Sequence, residues 1–199
     1  MAGVLDLVYG NRFFRAWQIR EELAALGEVL AARRPACAFE IGTASGGTLL
    51  FLTRLARADA TIVSVDLRGG NFGGGYGRLR RWAYRHCGLS GQNIRILEGD
   101  SHSRETRERI AAALGGRPLD YLFIDGDHSY AGVSRDFELY APLVARAGWI
   151  AFHDIVDGPT ESVGGVPRFW REIKSRYRHS EFIHDPKQGG YGLGLLYVD

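Results

Sequence analysis

The sequence predicts an α/β domain organised around one doubly wound sheet, mostly parallel and closed by a C-terminal antiparallel hairpin, with seven strands in all. Three observations carry that expectation. Five short apolar or β-branched runs are each bounded by Gly, Pro, Asp or Asn; helical apolar periods fill the stretches between them; and the last residues change to a strand–loop–strand pattern.

Residues 1–35 read as an N-terminal helical segment that packs on the core, and residues 36–199 as the main unit. In the first segment Ile19, Leu23, Leu26 and Leu30 step by 4, 3 and 4, one face of a helix. The five runs follow at 38–41, 61–65, 94–97, 121–124 and 149–152. Their near-continuous apolarity suits strands covered on both faces, as in a parallel sheet. Leu49, Leu50, Leu52 and Leu55 make a helix apolar nearly all round, expected where a helix lies against the sheet. Val133, Phe137, Tyr140 and Val144 give a second amphipathic helix, and Phe169, Ile173 and Tyr177 a third, with Pro167 suited to its first turn. Residues 181–184 and 193–198, joined through Pro186 and Gly190, read as the closing hairpin.

Composition removes several classes. The chain of 199 residues is 45% hydrophobic and 24% charged, ordinary for a globular domain. Residues Met1 to Gly10 lack the basic n-region and long apolar run expected of a secretory signal, and no apolar run approaches the ~18 residues of a membrane span. The net charge of +2 gives no footing for phosphate backbones, so neither nucleic acid nor membrane is expected as a partner. Two cysteines, Cys37 and Cys87, make no disulfide framework, which fits a reducing, cytoplasmic setting. For association, a homodimer is the default expectation as the commonest soluble assembly.

The 27 glycines are about 14% of the chain, twice the usual ~7%, and they cluster. The first cluster, FEIGTASGGT at 39–48, follows the first strand. Gly42 permits a sharp turn there, and Gly46 and Gly47 allow close approach to a ligand. Asp66, ending the second strand, is placed to accept from ribose hydroxyls. The pattern has Ala44 where a dinucleotide fingerprint needs its middle glycine, and no G-K-[ST] follows. A nucleoside without phosphates fits better, and S-adenosylmethionine is the obvious one.

These residues resemble the first motif of class I S-adenosylmethionine-dependent methyltransferases, in the catechol and caffeoyl-CoA O-methyltransferase branch. The run FIDGDHSYAGVSRDFELYAPLVARAGWIAFHDI, at 123–155, resembles the group that includes cephalosporin- and macrolide-pathway methyltransferases. With the GVPRFW run and the GGYGLG hairpin, the resemblance covers most of 36–199 and implies a Rossmann-like fold. It places Glu40, Gly42 and Thr48 around the methionine moiety and Asp66 on the ribose, with Thr43, Ala44 and Ser45 completing the turn. Asp100 and Ser101 would border the adenine. Read from the residues alone, 100–103 is also an N-cap for a helix starting near Arg104.

Two strand ends carry acid and imidazole together: Asp125-Gly126-Asp127-His128 and His153-Asp154. Methyl transfer to oxygen needs an aligned acceptor and a group that takes its proton, and an imidazole titrates in the right range. His128 stands where the catechol-type enzymes carry a lysine, so the resemblance makes it the base, with Asp125 beside it. It also makes Asp125 and Asp154 ligands for Mg²⁺ or Mn²⁺. Their third ligand position reads Ile155, which cannot bind metal, and His153 is the substitute. Asp125 serves either metal or cofactor. Asp127 and Ser129 read as turn and cap.

The second cluster, LRGGNFGGGYG at 67–77, reads as a lid with Phe72 and Tyr76 as apolar contacts, or as a plain surface loop. The basic, aromatic stretch 78–86 is either acceptor-binding or a solvated helix face. The expectation is therefore methyl transfer from S-adenosylmethionine to a hydroxyl of a small molecule, a sugar, polyketide or phenol. The alternatives are an NAD(P)-dependent oxidoreductase, opposed by Ala44 and the lack of a Tyr-x-x-x-Lys pair, and a nucleic-acid methyltransferase or RNA-binding module, opposed by the charge and the lack of [DNS]-P-P-[YF].

Overall fold

A computed structural model describes residues 1–69 and 76–199. Among these, seven strands form one sheet in the order β3-β2-β1-β4-β5-β7-β6. In chain order they are β1 (Cys37–Ile41), β2 (Thr61–Asp66), β3 (Asn93–Glu98), β4 (Leu119–Ile124), β5 (Val144–His153), β6 (Arg178–Phe182) and β7 (Leu193–Tyr197). The first five pair in parallel, while β7 pairs antiparallel to both β5 and β6. This is the expected Rossmann-like, doubly wound sheet with its closing hairpin.

The alternation of strand side chains divides the core. Ala38, Ile62, Ile94, Tyr121, Phe123, Trp149 and Leu195 face one layer, with Leu5 and Val8 of α1 (Ala2–Tyr9) and Leu23, Leu26 and Leu30 of α2 (Arg20–Arg33). The leucines of α3 (Gly47–Leu55) and Tyr84 of α4 (Arg78–Arg85) complete that layer. Phe39, Ile41, Val63, Leu122, Ile150 and Phe152 face the other, against α5 (Arg104–Leu114), α6 (Tyr130–Tyr140) and α8 (Val166–Ile173). A short α7 (Thr160–Val163) precedes α8. Apolar strand residues buried on both faces explain why the runs looked continuous rather than alternating.

Two helical periods overrun their helices. Val144 begins β5, because a 3-10 turn, Ala141–Leu143, separates it from α6. Tyr177 follows a second such turn, Lys174–Arg176, after α8. Both residues still face the core, so the apolar rhythm persists across the change of backbone. Pro167 lies in the first turn of α8 as expected. Ser103 and Ser129 cap α5 and α6, each accepting from a backbone N–H three residues on.

Glu22 of α2, almost fully buried, ties the N-terminal segment to the hairpin. Its carboxylate accepts from His184 N (3.1 Å), Gln188 Nε2 (2.7 Å) and Gly192 N (3.0 Å). Among the described residues, no helix is long and apolar enough to cross a membrane.

Candidate active site

The carboxyl ends of β1, β2, β4 and β5 meet at one edge. After β1 the chain turns at Gly42, whose φ of +94° is left-handed. A Cβ there would be driven into the Asp125 carbonyl, so a glycine is required as β1 and β4 close on each other. The backbone reaches Ala44, itself left-handed at φ +41°. Ala44 N donates to Asp66 Oδ2 at 2.6 Å, and Leu67 N donates to Asp66 Oδ1 at 2.7 Å. Asp66 is thus fixed to the glycine turn, with burial as the main reason its pKa is raised.

Beneath the turn, Ser64 Oγ donates to Glu40 Oε2 at 2.6 Å and lies 2.5 Å from Thr43 Oγ1. Glu40 is 1% exposed. Burial pushes its carboxyl up to about 7, against the opposing hydrogen bonds from Ser64 and Thr48. A buried carboxyl of this kind gains most from a cation placed next to it.

Gly46 and Gly47 also give close approach to the protein's own chain. A Cβ on Gly47 would strike the backbone of Arg15 and Ala16, and one on Gly46 would meet the rings of Tyr84 and Phe14. The two glycines make room for an N-terminal strap, residues 11–18. Arg15 N donates to Ser45 O at 3.2 Å, and Arg15 bridges to Gly46. The strap ends at Gln18, whose Nε2 donates to Asp125 Oδ2 at 3.0 Å.

The two acid–imidazole strand ends converge. His128 Nε2 lies 3.4 Å from Asp125 Oδ1, and His128 Nδ1 lies 3.4 Å from Asp154 Oδ2. His153 Nδ1 is 3.2 Å from Asp125 Oδ1 and 3.6 Å from Asp154 Oδ2. One ligand atom each from Asp125, His128 and Asp154 can be chosen so that all lie within 4.8 Å of one another. Asp154 is left-handed at φ +60°, a conformation an aspartate tolerates better than most residues, and Tyr191 N donates to its Oδ1 at 3.2 Å. Ser162 O lies 2.5 Å from His128 Nδ1, which assigns a proton to that nitrogen.

Charge dominates this cluster. Burial alone would lower His128, but the Asp125 and Asp154 carboxylates and the Ser162 carbonyl outweigh it and raise its pKa to about 9. Burial would raise Asp125, yet the two imidazoles hold it at about 2. His153 is raised, with Asp125 overcoming desolvation, whereas burial leaves Asp154 above its ordinary value. Two imidazoles whose proton affinity is raised therefore sit among two carboxylates, an arrangement in which a divalent cation would compete with protons.

Asp100 and Ser101 lie at the end of β3. Asp100 Oδ1 accepts from His102 N at 2.8 Å, and Ser101 Oγ donates to the fully buried Asp136 at 2.7 Å. The Ser101 hydroxyl is thereby committed to α6. Asp127 makes the expected turn, its Oδ1 accepting from Ser129 N. Tyr76 is buried beside Asp66 and packs on Tyr84 at 5.1 Å between ring centroids. Phe72 and the rest of the expected lid, 70–75, lie outside the described residues. The stretch 78–86 is α4 and its cap; Leu79 and Trp82 are exposed on it, while Arg81 pairs with Glu98. Gln18, Ser64 and Ser162 were absent from the sequence-based set.

Comparison with known proteins agrees with this architecture. A protein of Acanthamoeba polyphaga mimivirus, "Uncharacterized protein R132", is 29% identical over 156 residues, covering 77% of this chain and 65% of its own length. A Sinorhizobium fredii protein, y4gI, is 28% identical over 121 residues, covering 56% of this chain and 12% of its own. The chain thus spans less than two thirds of the length of these curated relatives. Among solved structures, the Streptomyces achromogenes O-methyltransferase TomG, of tomaymycin synthesis and in complex with S-adenosylmethionine, superposes with a TM-score of 0.67 at 16% identity, over 100% of this chain and 89% of that one. An O-methyltransferase from Bacillus cereus in complex with S-adenosylhomocysteine gives 0.66 at 16% identity, over 100% and 90%. These two likenesses speak for the fold. The family model described as a methyltransferase domain matches residues 39–155, from β1 to just past Asp154, and by that match, over more than half its length, the chain belongs to the methyltransferase-domain family.

Proposed function

We propose that this chain transfers a methyl group from S-adenosylmethionine to a hydroxyl of a small-molecule acceptor, a sugar, polyketide or phenol, with Mg²⁺ or Mn²⁺ held at the ends of β4 and β5. The observation that carries the reading is the placement, on one sheet edge, of a glycine turn tied to Asp66 and a cluster of Asp125, His128, His153 and Asp154.

In the reaction the acceptor oxygen forms a bond to the methyl carbon as the sulfur–methyl bond breaks, and the hydroxyl proton goes to a base. S-adenosylhomocysteine leaves. Asp66 holds the ribose, and Glu40, Gly42 and Thr48, with Thr43, Ala44 and Ser45, shape the pocket for the methionine end. Asp100 and Ser101 border the adenine from the loop after β3. Donors of two carboxylates and one imidazole suit Mg²⁺ or Mn²⁺, although imidazole is softer than Mg²⁺ prefers. A bound cation would lower the acceptor hydroxyl's pKa and orient it. Asp125 and Asp154 supply the carboxylates. His153, the more buried of the two imidazoles at 5% against 19%, fills the third position and leaves His128 toward the acceptor. His128, raised by Asp125, Asp154 and the Ser162 carbonyl, would be less so with a cation offsetting the two carboxylates, and its imidazole is the group placed to take the acceptor's proton.

The 4.8 Å cluster favours a second arrangement in which His128 is itself the third ligand. Mn²⁺ titration of His128→Ala and His153→Ala separates the two, since only loss of the ligating imidazole weakens binding. Free, buried Cys37 and Cys87 accord with a cytoplasmic setting, and a homodimer remains the working assembly. The reading as a whole is tested by calorimetry with S-adenosylhomocysteine. Saturable binding is expected, with Asp66→Ala weakening it by about tenfold or more through loss of the charge-assisted ribose contact. An unaltered dissociation constant in Asp66→Ala contradicts the ribose assignment; no binding by the wild-type protein sinks the proposal.

A further inference from the structure

Gln18 stands on the strap, upstream of the stretch matched by the methyltransferase-domain family, and its side chain is buried, with the residue 5% exposed. Its Nε2 donates to Asp125 Oδ2 at 3.0 Å. An ionised carboxylate accepts and does not donate, so the amide has one orientation, nitrogen toward Asp125 and oxygen away. That oxygen, Oε1, is buried and has no hydrogen-bond partner among the described residues. A buried amide oxygen left in that state is costly, and in a cleft it marks the place where a ligand brings the missing donor.

The position of the strap says which donor. Sheet order runs β2-β1-β4, with Asp66 ending β2, the glycine turn following β1 and Asp125 following β4. The strap follows the same edge, pairing with Ser45 and Gly46 at the turn and reaching Asp125 through Gln18. A nucleoside held by its ribose at Asp66 and crossing the turn therefore presents its far end to the crevice between β1 and β4, beside Gln18. In S-adenosylmethionine the far end is an amino acid, whose α-ammonium carries three N–H donors that need acceptors once desolvated. We infer that Gln18 is a cofactor-binding residue whose Oε1 accepts a hydrogen bond from the α-ammonium of the methionine moiety. The inference rests on S-adenosylmethionine being the methyl donor, and it makes the N-terminal strap a wall of the site that the matched stretch alone does not supply.

The test is calorimetric, with S-adenosylhomocysteine and its analogue lacking the α-amino group as ligands for the wild-type protein and Gln18→Met. Methionine keeps the length of the side chain and removes the acceptor. The wild type is expected to bind the analogue about tenfold more weakly than S-adenosylhomocysteine, the worth of one hydrogen bond to a charged group. Gln18→Met is expected to lose about tenfold for S-adenosylhomocysteine while binding the analogue as the wild type does. Equal loss for both ligands would make Gln18 a support for Asp125 and overturn the inference, as would unchanged affinity for S-adenosylhomocysteine. Failure of the wild type to bind S-adenosylhomocysteine would instead strike the underlying choice of methyl donor. A check that needs no variant is a wild-type structure with S-adenosylhomocysteine, in which the ammonium nitrogen must lie within about 3.2 Å of Gln18 Oε1. A longer separation also overturns it.

Discussion

Replacing Glu40 by Gln should stabilise the ligand-free protein at alkaline pH while weakening its hold on the cofactor. Burial raises the Glu40 carboxyl from 4.5 to about 7. A raised folded-state pKa means that the protonated form is the one the fold prefers. Its contribution is fully present below pH 4.5 and is lost as pH rises through about 7. Between pH 5 and pH 8 the linkage relation gives a loss of about 2–3 kcal/mol from this one group. Glutamine retains an oxygen to accept from Ser64 Oγ and has nothing to ionise, so it escapes the loss. Urea unfolding of both proteins at pH 5 and pH 8 measures the difference directly. The variant should gain on the wild type by about 2–3 kcal/mol over that interval. In the same buffers at pH 8, calorimetry should show weaker binding of S-adenosylhomocysteine to the variant, because an ionised carboxylate near the methionine end has been removed. A stability difference that is the same at both pH values would refute the reasoning, since Glu40 would then titrate as an ordinary carboxylate.

Three further outcomes follow from the site. His128→Ala should lose turnover with an identified acceptor yet bind S-adenosylhomocysteine as before; unchanged turnover removes His128 from the role of base. Because His128 is raised to about 9 and His153 is raised as well by Asp125, Mn²⁺ affinity should climb between pH 6 and pH 9. Each displaced proton contributes up to about tenfold per pH unit. A flat profile by calorimetry or paramagnetic resonance would mean that no proton is displaced. Gly42→Ala combines a left-handed backbone with a Cβ aimed at the Asp125 carbonyl and should cost about 2–4 kcal/mol in urea unfolding. A cost under about 0.5 kcal/mol would show that β1 and β4 can part without penalty.

The five parallel strands were legible because each contains a brief apolar run with a breaker nearby, whereas β6 was not: it spans Arg178–Phe182 rather than the expected 181–184, because an edge strand of polar, largely exposed residues carries no apolar run to mark its start. The caps were legible too, since a serine before a helix has few other jobs. Helix ends were less so. Val144 and Tyr177 keep the apolar step of the preceding helix although the backbone has already changed, because both still face the same core. At the site, strand-end acids announce themselves by position, whereas Gln18 carries no local signal. Its partner Asp125 is 107 residues away, and a lone glutamine before a helix looks like any solvated residue. Ser101, which the resemblance sets beside the adenine, also carries a tie that the sequence did not announce: its hydroxyl donates to Asp136, a residue whose burial only the tertiary structure reveals. Gly46 and Gly47 were read as letting a ligand approach; that a Cβ at Gly47 would also meet the strap at Arg15 and Ala16 could not be read from neighbouring residues, because the strap lies some thirty positions upstream.

The order of the sheet also bears on how this chain reaches its native state. β7, which leaves the ribosome after β6, is seated between β6 and β5 and supplies the hydrogen-bonding partner for the outer edge of β5. Until it arrives, that edge is a naked template, open to mispairing during synthesis. The backbone amide that steadies Asp154 and the one that docks on Glu22 come from Tyr191 and Gly192, immediately before β7. The Asp154 corner therefore gains these contacts only once residues 191 and 192 have been made, and a nascent chain halted short of residue 190 would carry Asp154 and Glu22 without the amides that hold them.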